Sequence, residues 1–374
     1  MACVRMWACA CAKAPLVFPR SDLYSPFARL NGLMRPGDFS CSFPIDLEPP
    51  MTDARSAPPP SDEPPHTQWP DLPPLAAWAD TCTTVHMWTQ IVGKLRLELA
   101  PWINHSWGSA LYVTSSGLTT SPIPYDHRTF TVDIDFIDHT LVITTSDGER
   151  RSFALEPMSV ATFYETIFEA LNELNIEVDI LARPVEVVEA VPFADDDQNA
   201  SYDAEAIHQF WRALVQSARV FADFRARFLG KCSPVHFFWG AFDLAVTRFS
   251  GREAPTHPGG VPNCADWVME EAYSHELSSA GFWPGTGLGE AAFYSYAYPE
   301  PDGFRTRNVE PSAAYFDDDL GEFVLPYAAV QAADDPDGAL LTFLQDTYAA
   351  AADLGDWNRD ALEQTRSFPL PTAA

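Results

Sequence analysis

The side chains best suited to proton transfer or metal binding are nine histidines, and His275 lies in the sharpest local pattern. Glu271 and His275 are four residues apart in a segment, 264–277, that the pattern predicts as a short helix, and Glu276 follows directly. Residues at i and i+4 share a helix face, so this pair could act as acid and base or ligate a metal. A Glu–His pair at this spacing is also common as a structural feature, and the second histidine of a zinc-protease helix is missing. We therefore predict no metal site.

Two further histidines, His105 and His236, occupy equivalent places in two similar segments. Residues 99–108 and 231–240 each contain a proline, then the histidine, then Trp-Gly, and each leads into an apolar strand. If the segments are related by pseudo-symmetry, the two imidazoles meet where the halves of the chain contact each other, a common place for a small-molecule pocket. In the alternative interpretation, each imidazole binds a backbone carbonyl and only stabilises a strand end.

Asp243 is an acid within an apolar strand that alternation predicts over residues 240–249. Phe242, Leu244 and Val246 share one face of that strand, and Asp243 lies on the other. A buried carboxylate must be paired or have a raised pKa, so Asp243 is either a functional group or the partner of an arginine. Arg248 is near in sequence but on the opposite face, and three other arginines are equally plausible partners: Arg212, Arg225 and Arg252.

Aromatic side chains are frequent around these groups. Trp239 and Trp283, together with Arg248, could line a pocket for a sugar, a ring or a quaternary amine. The alternative is that they form the core of a large α+β domain. The predicted catalytic residues are His105, His236, Asp243, His275 and Glu276, and the predicted ligand contacts are Trp239, Arg248 and Trp283.

Long amphipathic helices and runs of adjacent strands must position these residues. Apolar residues at three- and four-residue spacing predict helices at 75–100, 159–174, 203–229 and 335–354, and alternation predicts strands at 109–115, 129–137, 140–145 and 293–298. Since strands and helices do not alternate strictly, we predict an α+β fold with mainly antiparallel sheet. The order helix–strands–helix occurs twice, which predicts an internal duplication with halves at 65–200 and 201–374. Residues 250–304 have no counterpart in the first half and are predicted as a long Gly/Pro/aromatic loop.

Composition excludes several classes of function. Acidic residues outnumber basic ones 52 to 23, which gives a formal charge of −29 and argues against nucleic-acid binding and against anionic membranes. No stretch approaches the roughly 20 apolar residues of a membrane-spanning helix. Three scattered cysteines, Cys82, Cys232 and Cys264, indicate reduced thiols and predict a cytoplasmic protein.

The first 64 residues differ from the rest of the chain. They contain four of the seven cysteines and a cluster of prolines at 58–65. We predict that residues 1–64 are a disordered extension or that residues 1–50 are an over-extended gene start, with Met51 just upstream of an ordinary-looking sequence. The alternative is a targeting or regulatory tail.

Several motifs occur together after this extension: Asn104-His-Ser-Trp107, Gly117-Leu-Thr-Thr120, Phe130 to His139, Ser233 to Gly240, Phe242 to Ala245, Thr247 to Phe249, Glu271 to Glu276 and Gly281 to Gly285. Taken together they closely resemble an uncharacterised bacterial family, the domain of unknown function 5996, over roughly residues 69–363. The resemblance supports these domain limits and implies no activity, because none is established for the family.

Two functions are carried forward. The first is a cytoplasmic small-molecule enzyme with a His/carboxylate acid–base cluster among aromatic residues, and we favour it slightly. The second is a non-catalytic ligand-binding or interaction module built on the duplicated scaffold. An enzyme of this kind should place at least two of the predicted catalytic groups within about 4 Å in one cleft. A small molecule is the expected ligand, and the cofactor and the oligomeric state stay open.

Overall fold

The computed structural model describes residues 69–364, and its first group of elements ends near residue 173. Two helices flank this group, α1 (Leu75–Leu99) and α2 (Val160–Glu173). Between them lie β1 (Tyr112–Val113), β2 (Gly117–Thr119), β3 (Ile123–Tyr125), β4 (Arg128–Asp135), β5 (Thr140–Thr145) and β6 (Arg150–Ala154). They form an antiparallel sheet in the order β1-β2-β4-β5-β6, with β3 paired to β4.

The second group also contains a long helix and an antiparallel sheet. It begins with α3 (Ala204–Ala226) and continues through β7 (His236–Phe238), β8 (Asp243–Glu253), α4 (Asp266–Ala272), β9 (His275–Trp283), β10 (Ala292–Tyr298), β11 (Tyr315–Asp317) and β12 (Glu322–Pro326). Three helices close it: α5 (Tyr327–Gln331), α6 (Pro336–Leu354) and α7 (Arg359–Leu362). The strand order is β11-β12-β10-β9-β8-β7. Helices and antiparallel sheets together confirm the α+β prediction.

The two groups meet at their sheet edges and share a core. Leu111 and Phe237 exchange two backbone hydrogen bonds of 2.9 and 2.8 Å, so the β1 edge of the first sheet adjoins the β7 edge of the second. Aromatic contacts continue across the boundary, for example between Trp78 of α1 and Phe210 of α3, whose ring centres are 5.4 Å apart. The internal duplication, and the division at residue 200, stay predictions.

The two faces of the second sheet have different chemistry. Leu244 and Val246 of β8 and Phe282 of β9 belong to the main core, together with residues of α3 and α6. The opposite face of the sheet contributes Ala245 and Phe249 to a second cluster under α4. We call this face of the sheet the polar face. Its polar members alternate with those core residues along the strands: Asp243, Thr247, Ser279, Tyr294 and Tyr296.

The prediction that residues 250–304 are a long loop, interrupted by a short helix and by the strand at 293–298, is wrong because the range also contains the nine-residue strand β9. The predicted helix at 264–277 is also too long. It ends at Ala272, and Ser274 donates its hydroxyl to the carbonyl of Glu271 where the chain turns into β9. From Leu277 onward β9 is buried on both faces, so it shows no alternation that the sequence could reveal.

Within residues 69–364, no helix is long and apolar enough to cross a membrane. The predictions for residues 1–64 lie outside the described residues.

Candidate functional site

His105 lies under α4, in a single 3-10 turn (Asn104–Ser106) that follows α1. The residue has a φ of +58° and is buried. Its Nδ1 donates to the carbonyl of Ala272, at 3.0 Å, so the neutral ring presents the Nε2 lone pair, which accepts from the ammonium of Lys231. Burial is the main cause that lowers the pKa of His105 to about 4, and Lys231 adds to it, so the imidazole is neutral at pH 7.

Two further groups, Glu271 and His275, complete what we call the His105 cluster: His105, Lys231, Glu271 and His275. The ring centres of His105 and His275 are 6.2 Å apart. Glu271 lies close enough to oppose the lowering of the Lys231 pKa that burial causes. The structure therefore brings two of the five predicted catalytic residues together, but on different elements from those that the sequence indicated.

His236 lies at the start of β7 and is fully buried on the polar face. Burial, with contributions from Arg96 and Arg225, lowers its pKa to about 3, so this imidazole is also neutral. Trp107 is a neighbour of both pseudo-equivalent histidines, with ring centres 5.3 Å from His105 and 6.0 Å from His236. The two histidines thus lie in one neighbourhood, around a shared indole.

Asp243 lies at the other end of β8, in a second site of different composition. Its Oδ2 accepts from the hydroxyl of Tyr294, whose ring crosses Gly281 on the strand between them. A Cβ at residue 281 would overlap that ring, so glycine is required for this contact. Burial, together with the negative charge of Asp243, raises the pKa of Tyr294 well above its ordinary value, so the phenol stays a neutral donor.

Around this hydrogen bond lies what we call the Asp243 cleft, a narrow cleft whose volume is about 320 Å³ when the part open to solvent is included. Its lining comprises Ala241, Asp243, Trp283, Tyr294, Leu320 and Glu322. Both carboxylates are buried, Asp243 at 2% exposure and Glu322 at 7%. Trp283 is 5% exposed, and its indole Nε1 has no hydrogen-bond partner among residues 69–364. The cleft and the His105 cluster are about 20 Å apart, because Asp243 and Phe249, whose ring contacts His105, are six positions apart along β8.

Three predicted site residues lie away from both places. Glu276 forms an ion pair of 2.6 Å with Arg252 and lines a different groove beside Trp357. Trp239 is buried against Gly93 of α1 and donates to the carbonyl of Ser109 at 2.8 Å.

Arg248 is the third, and it lies on the helix side of β8. Its guanidinium stacks 3.4 Å from the ring centre of Phe224 and 4.4 Å from that of Tyr348. Burial lowers its pKa to about 10, and it donates to the carbonyl of Phe224. It therefore does not face the groups that it was predicted to accompany.

The expected arginine partners of Asp243 all donate elsewhere. Arg212 donates to Gln209, Arg225 to the carbonyl of Ser233, and Arg252 to Glu276. A tyrosine supplies the donor instead. Sequence reasoning missed Lys231, Tyr294 and Glu322 as site residues. Alternating aromatic residues in β10 were a signal for Tyr294, whereas nothing local marked Lys231 or Glu322.

The Glu271–His275 pair that the sequence offered as a metal site does not share a helix face, since Glu271 is in α4 and His275 begins β9. In the described part of the chain, no group of three or more His, Cys, Asp or Glu side chains could hold a metal ion.

Comparisons with known proteins give one informative match. The model of a family of unknown function, DUF5996, matches residues 69–364. Nothing matches among the curated proteins or among the solved structures.

Proposed function

We propose that this chain, which belongs to the family of unknown function DUF5996, binds a small amino alcohol in the Asp243 cleft. The observation that carries the proposal is the composition of that cleft: two buried carboxylates, a tyrosine hydroxyl and an unpartnered indole N–H line one small space. Binding sites of this kind combine mostly apolar walls with a few convergent polar groups.

An amine is favoured by the charge of the lining. Asp243 and Glu322 are both acids, and none of the lining residues is basic. A ligand ammonium can donate charge-assisted hydrogen bonds to the carboxylate oxygens, which are stronger than neutral ones. The rings of Trp283 and Tyr294, with centres 5.5 Å apart, add aromatic faces that attract a cation.

An oxygen acceptor on the ligand is favoured by Trp283. An indole N–H is only a donor, and burying it without a partner costs about 1–3 kcal/mol. A ligand hydroxyl would accept from this N–H, and an ammonium cannot. The cleft is narrow and partly open to solvent, which favours a molecule of only a few heavy atoms.

Thermal denaturation of the full chain with three matched compounds tests this proposal. Serinol carries one amine between two hydroxyls, glycerol replaces the amine by a hydroxyl, and isopropylamine lacks both hydroxyls. We expect 10 mM serinol to raise Tm more than either analogue, since a ligand that binds only the folded state stabilises it. Equal effects of serinol and glycerol would contradict the proposal.

Variants test whether the rise in Tm caused by serinol comes from binding in the Asp243 cleft. Glu322→Gln should abolish the preference for serinol over glycerol, and Trp283→Phe should abolish its preference over isopropylamine. Glu276→Gln is the matched control, because this carboxylate pairs with Arg252 outside the cleft and should leave both preferences unchanged. If Glu276→Gln reduced the preference for serinol over glycerol as much as Glu322→Gln does, the preference would come from the overall negative charge of the protein and not from the cleft.

Acid–base catalysis is the second candidate, and the same cleft favours it. Two carboxylates in one cleft can differ in protonation and so act as acid and base on a bound molecule. In this mechanism Asp243 is still a catalytic residue, as the sequence predicted, but its partners are Glu322 and Tyr294 and not the predicted histidines. Slow conversion of serinol or a related amino alcohol, abolished in Asp243→Asn, would favour it over simple binding.

A cytoplasmic location is part of the proposal. Among residues 69–364 no disulfide joins Cys82, Cys232 and Cys264, and proteins of oxidising compartments more often pair their cysteines. Export of a reporter fused to the full chain would contradict it.

A further inference from the structure

Lys231 supplies the only amine of the His105 cluster, and its position differs from that of an ordinary surface lysine. Three of the chain's 23 basic residues are lysines. Lys231 is partly exposed, its Nζ lies 4.8 Å from the ring centre of Phe249 and 5.6 Å from that of Trp107, and it donates to His105. The amine is therefore held in one place, with aromatic carbon on two sides.

These surroundings favour the neutral form of the amine, which is the nucleophilic one. Burial lowers the pKa of Lys231, and the nearby Glu271 carboxylate acts in the opposite direction. Among residues 69–364, Glu271 Oε2 in the cluster and Nε1 of the neighbouring Trp107 have no hydrogen-bond partner, so one acceptor and one donor beside the amine are unused. Lysines desolvated by apolar surroundings are the type that reacts with carbonyl compounds.

An exposed aromatic pair adjoins the cluster. Trp102 and Trp267 are 44% and 42% exposed, with ring centres 5.5 Å apart, and Trp102 donates to Glu271 at 3.1 Å. Ile103, 47% exposed, is next to Trp102 in the chain. Large apolar side chains grouped at the surface mark binding sites, and here they favour a ligand with an apolar carbon skeleton.

We propose that Lys231 forms an imine with a neutral, apolar aldehyde or ketone. The lone pair of neutral Nζ forms the bond to the carbonyl carbon, and the carbonyl electron pair moves to oxygen, which gains one proton as Nζ loses one. The hydroxyl then gains a second proton and leaves as water, Nζ loses its remaining proton, and a C=N bond replaces the C=O bond. No oxidant, reductant or metal takes part in this step.

The neighbouring imidazoles have separate tasks in this reaction. His105, with Nδ1 fixed on Ala272, holds the amine through Nε2 and is a positioning residue. His275, 6.2 Å away between ring centres, is placed to pass protons to and from the leaving oxygen. The inference is independent of the Asp243 cleft, which lies at the other end of the polar face.

Reductive trapping tests the proposal. The full chain is incubated at pH 7.5 with benzaldehyde and sodium cyanoborohydride, and N-acetyl-lysine amide in the same tube serves as a model amine. Peptide mass mapping then compares the benzylation rate of Lys231 with that of the model amine and of Lys94, which is 1% exposed. We expect Lys231 to react at least about tenfold faster than the model amine, because only neutral amines attack.

Two variants provide the controls. Lys231→Arg keeps the positive charge and a donor for His105 but cannot form an imine, so the benzylated peptide should disappear. His275→Gln alters a partly exposed residue and should slow trapping of Lys231 severalfold while leaving thermal unfolding nearly unchanged. Trapping of Lys231 no faster than the model amine, or trapping unaffected by His275→Gln, would overturn the proposal.

Discussion

The hydrogen bond between Tyr294 and Asp243 is the contact on which the Asp243 cleft depends, and Tyr294→Phe removes it while keeping the ring over Gly281. In the native protein the phenol donates to a carboxylate that is 2% exposed. A hydrogen bond to a charged group contributes about 1.5–3 kcal/mol to the free energy of unfolding, and removing the donor of a buried acceptor adds a desolvation penalty. We expect the free energy of unfolding to fall by about 2–3 kcal/mol.

Urea denaturation and thermal unfolding measure this loss. For chains of this size 1 kcal/mol corresponds to roughly 2 °C in Tm, so Tyr294→Phe should unfold about 5 °C lower. The matched control is Tyr298→Phe on the same strand, whose hydroxyl donates to the carbonyl of Pro255 at 3.0 Å in a partly exposed place. That change should cost under about 1 kcal/mol.

A double-mutant cycle with Asp243→Asn separates the hydrogen bond from other effects of the two substitutions. If the bond is as described, the costs of Tyr294→Phe and Asp243→Asn are non-additive by about 1–2 kcal/mol. Additive costs, or a Tyr294→Phe loss no larger than that of Tyr298→Phe, would refute the reasoning.

Three further predictions concern buried groups. His236 has a folded-state pKa of about 3, lowered by burial, against about 6.5 when unfolded, so its contribution to stability is complete above pH 6.5 and decreases as the pH falls from 6.5 towards 3. In His236→Gln the free energy of unfolding should therefore fall less steeply as the pH drops below 6.5, with a difference from the native protein of up to about 3 kcal/mol at pH 4. An unchanged pH dependence in this variant would contradict the prediction. Gly93→Ala should cost about 1–3 kcal/mol in urea denaturation and alter the near-UV spectrum, because its Cβ would overlap the Trp239 ring; unaltered values would exclude that packing. Arg248→Lys should lower the free energy of unfolding by about 2 kcal/mol, since lysine cannot stack flat on Phe224, and a loss under 0.5 kcal/mol would be inconsistent with the stacking.

The sequence predicts well those elements that have one buried and one exposed face. The helices α2, α3 and α6 and the strands β4 and β5 have regular apolar spacing, and their predicted bounds agree with the structure within a few residues. Helix α1 was also predicted within one residue, although it is buried nearly all round from Thr84 to Arg96. Strand β9 escaped prediction because it is buried on both faces and small residues fill its centre. Periodicity reports the difference between two faces, so it fails where there is none.

The candidate sites were harder to predict because their members are distant in the chain. His105 and Lys231 are 126 residues apart and meet only because the turn after α1 lies under α4. Asp243, Tyr294 and Glu322 come from three different strands, and only register places them on one face. Asp243 was recognised as a buried acid from its strand pattern alone, whereas its partner required the tertiary structure.

A crystal structure of the full chain grown with serinol tests the central claim most directly. The account predicts the ligand nitrogen within about 3 Å of a carboxylate oxygen of Asp243 or Glu322, with a ligand hydroxyl accepting from Trp283 Nε1. Serinol bound elsewhere, with the Asp243 cleft occupied only by water, would contradict it.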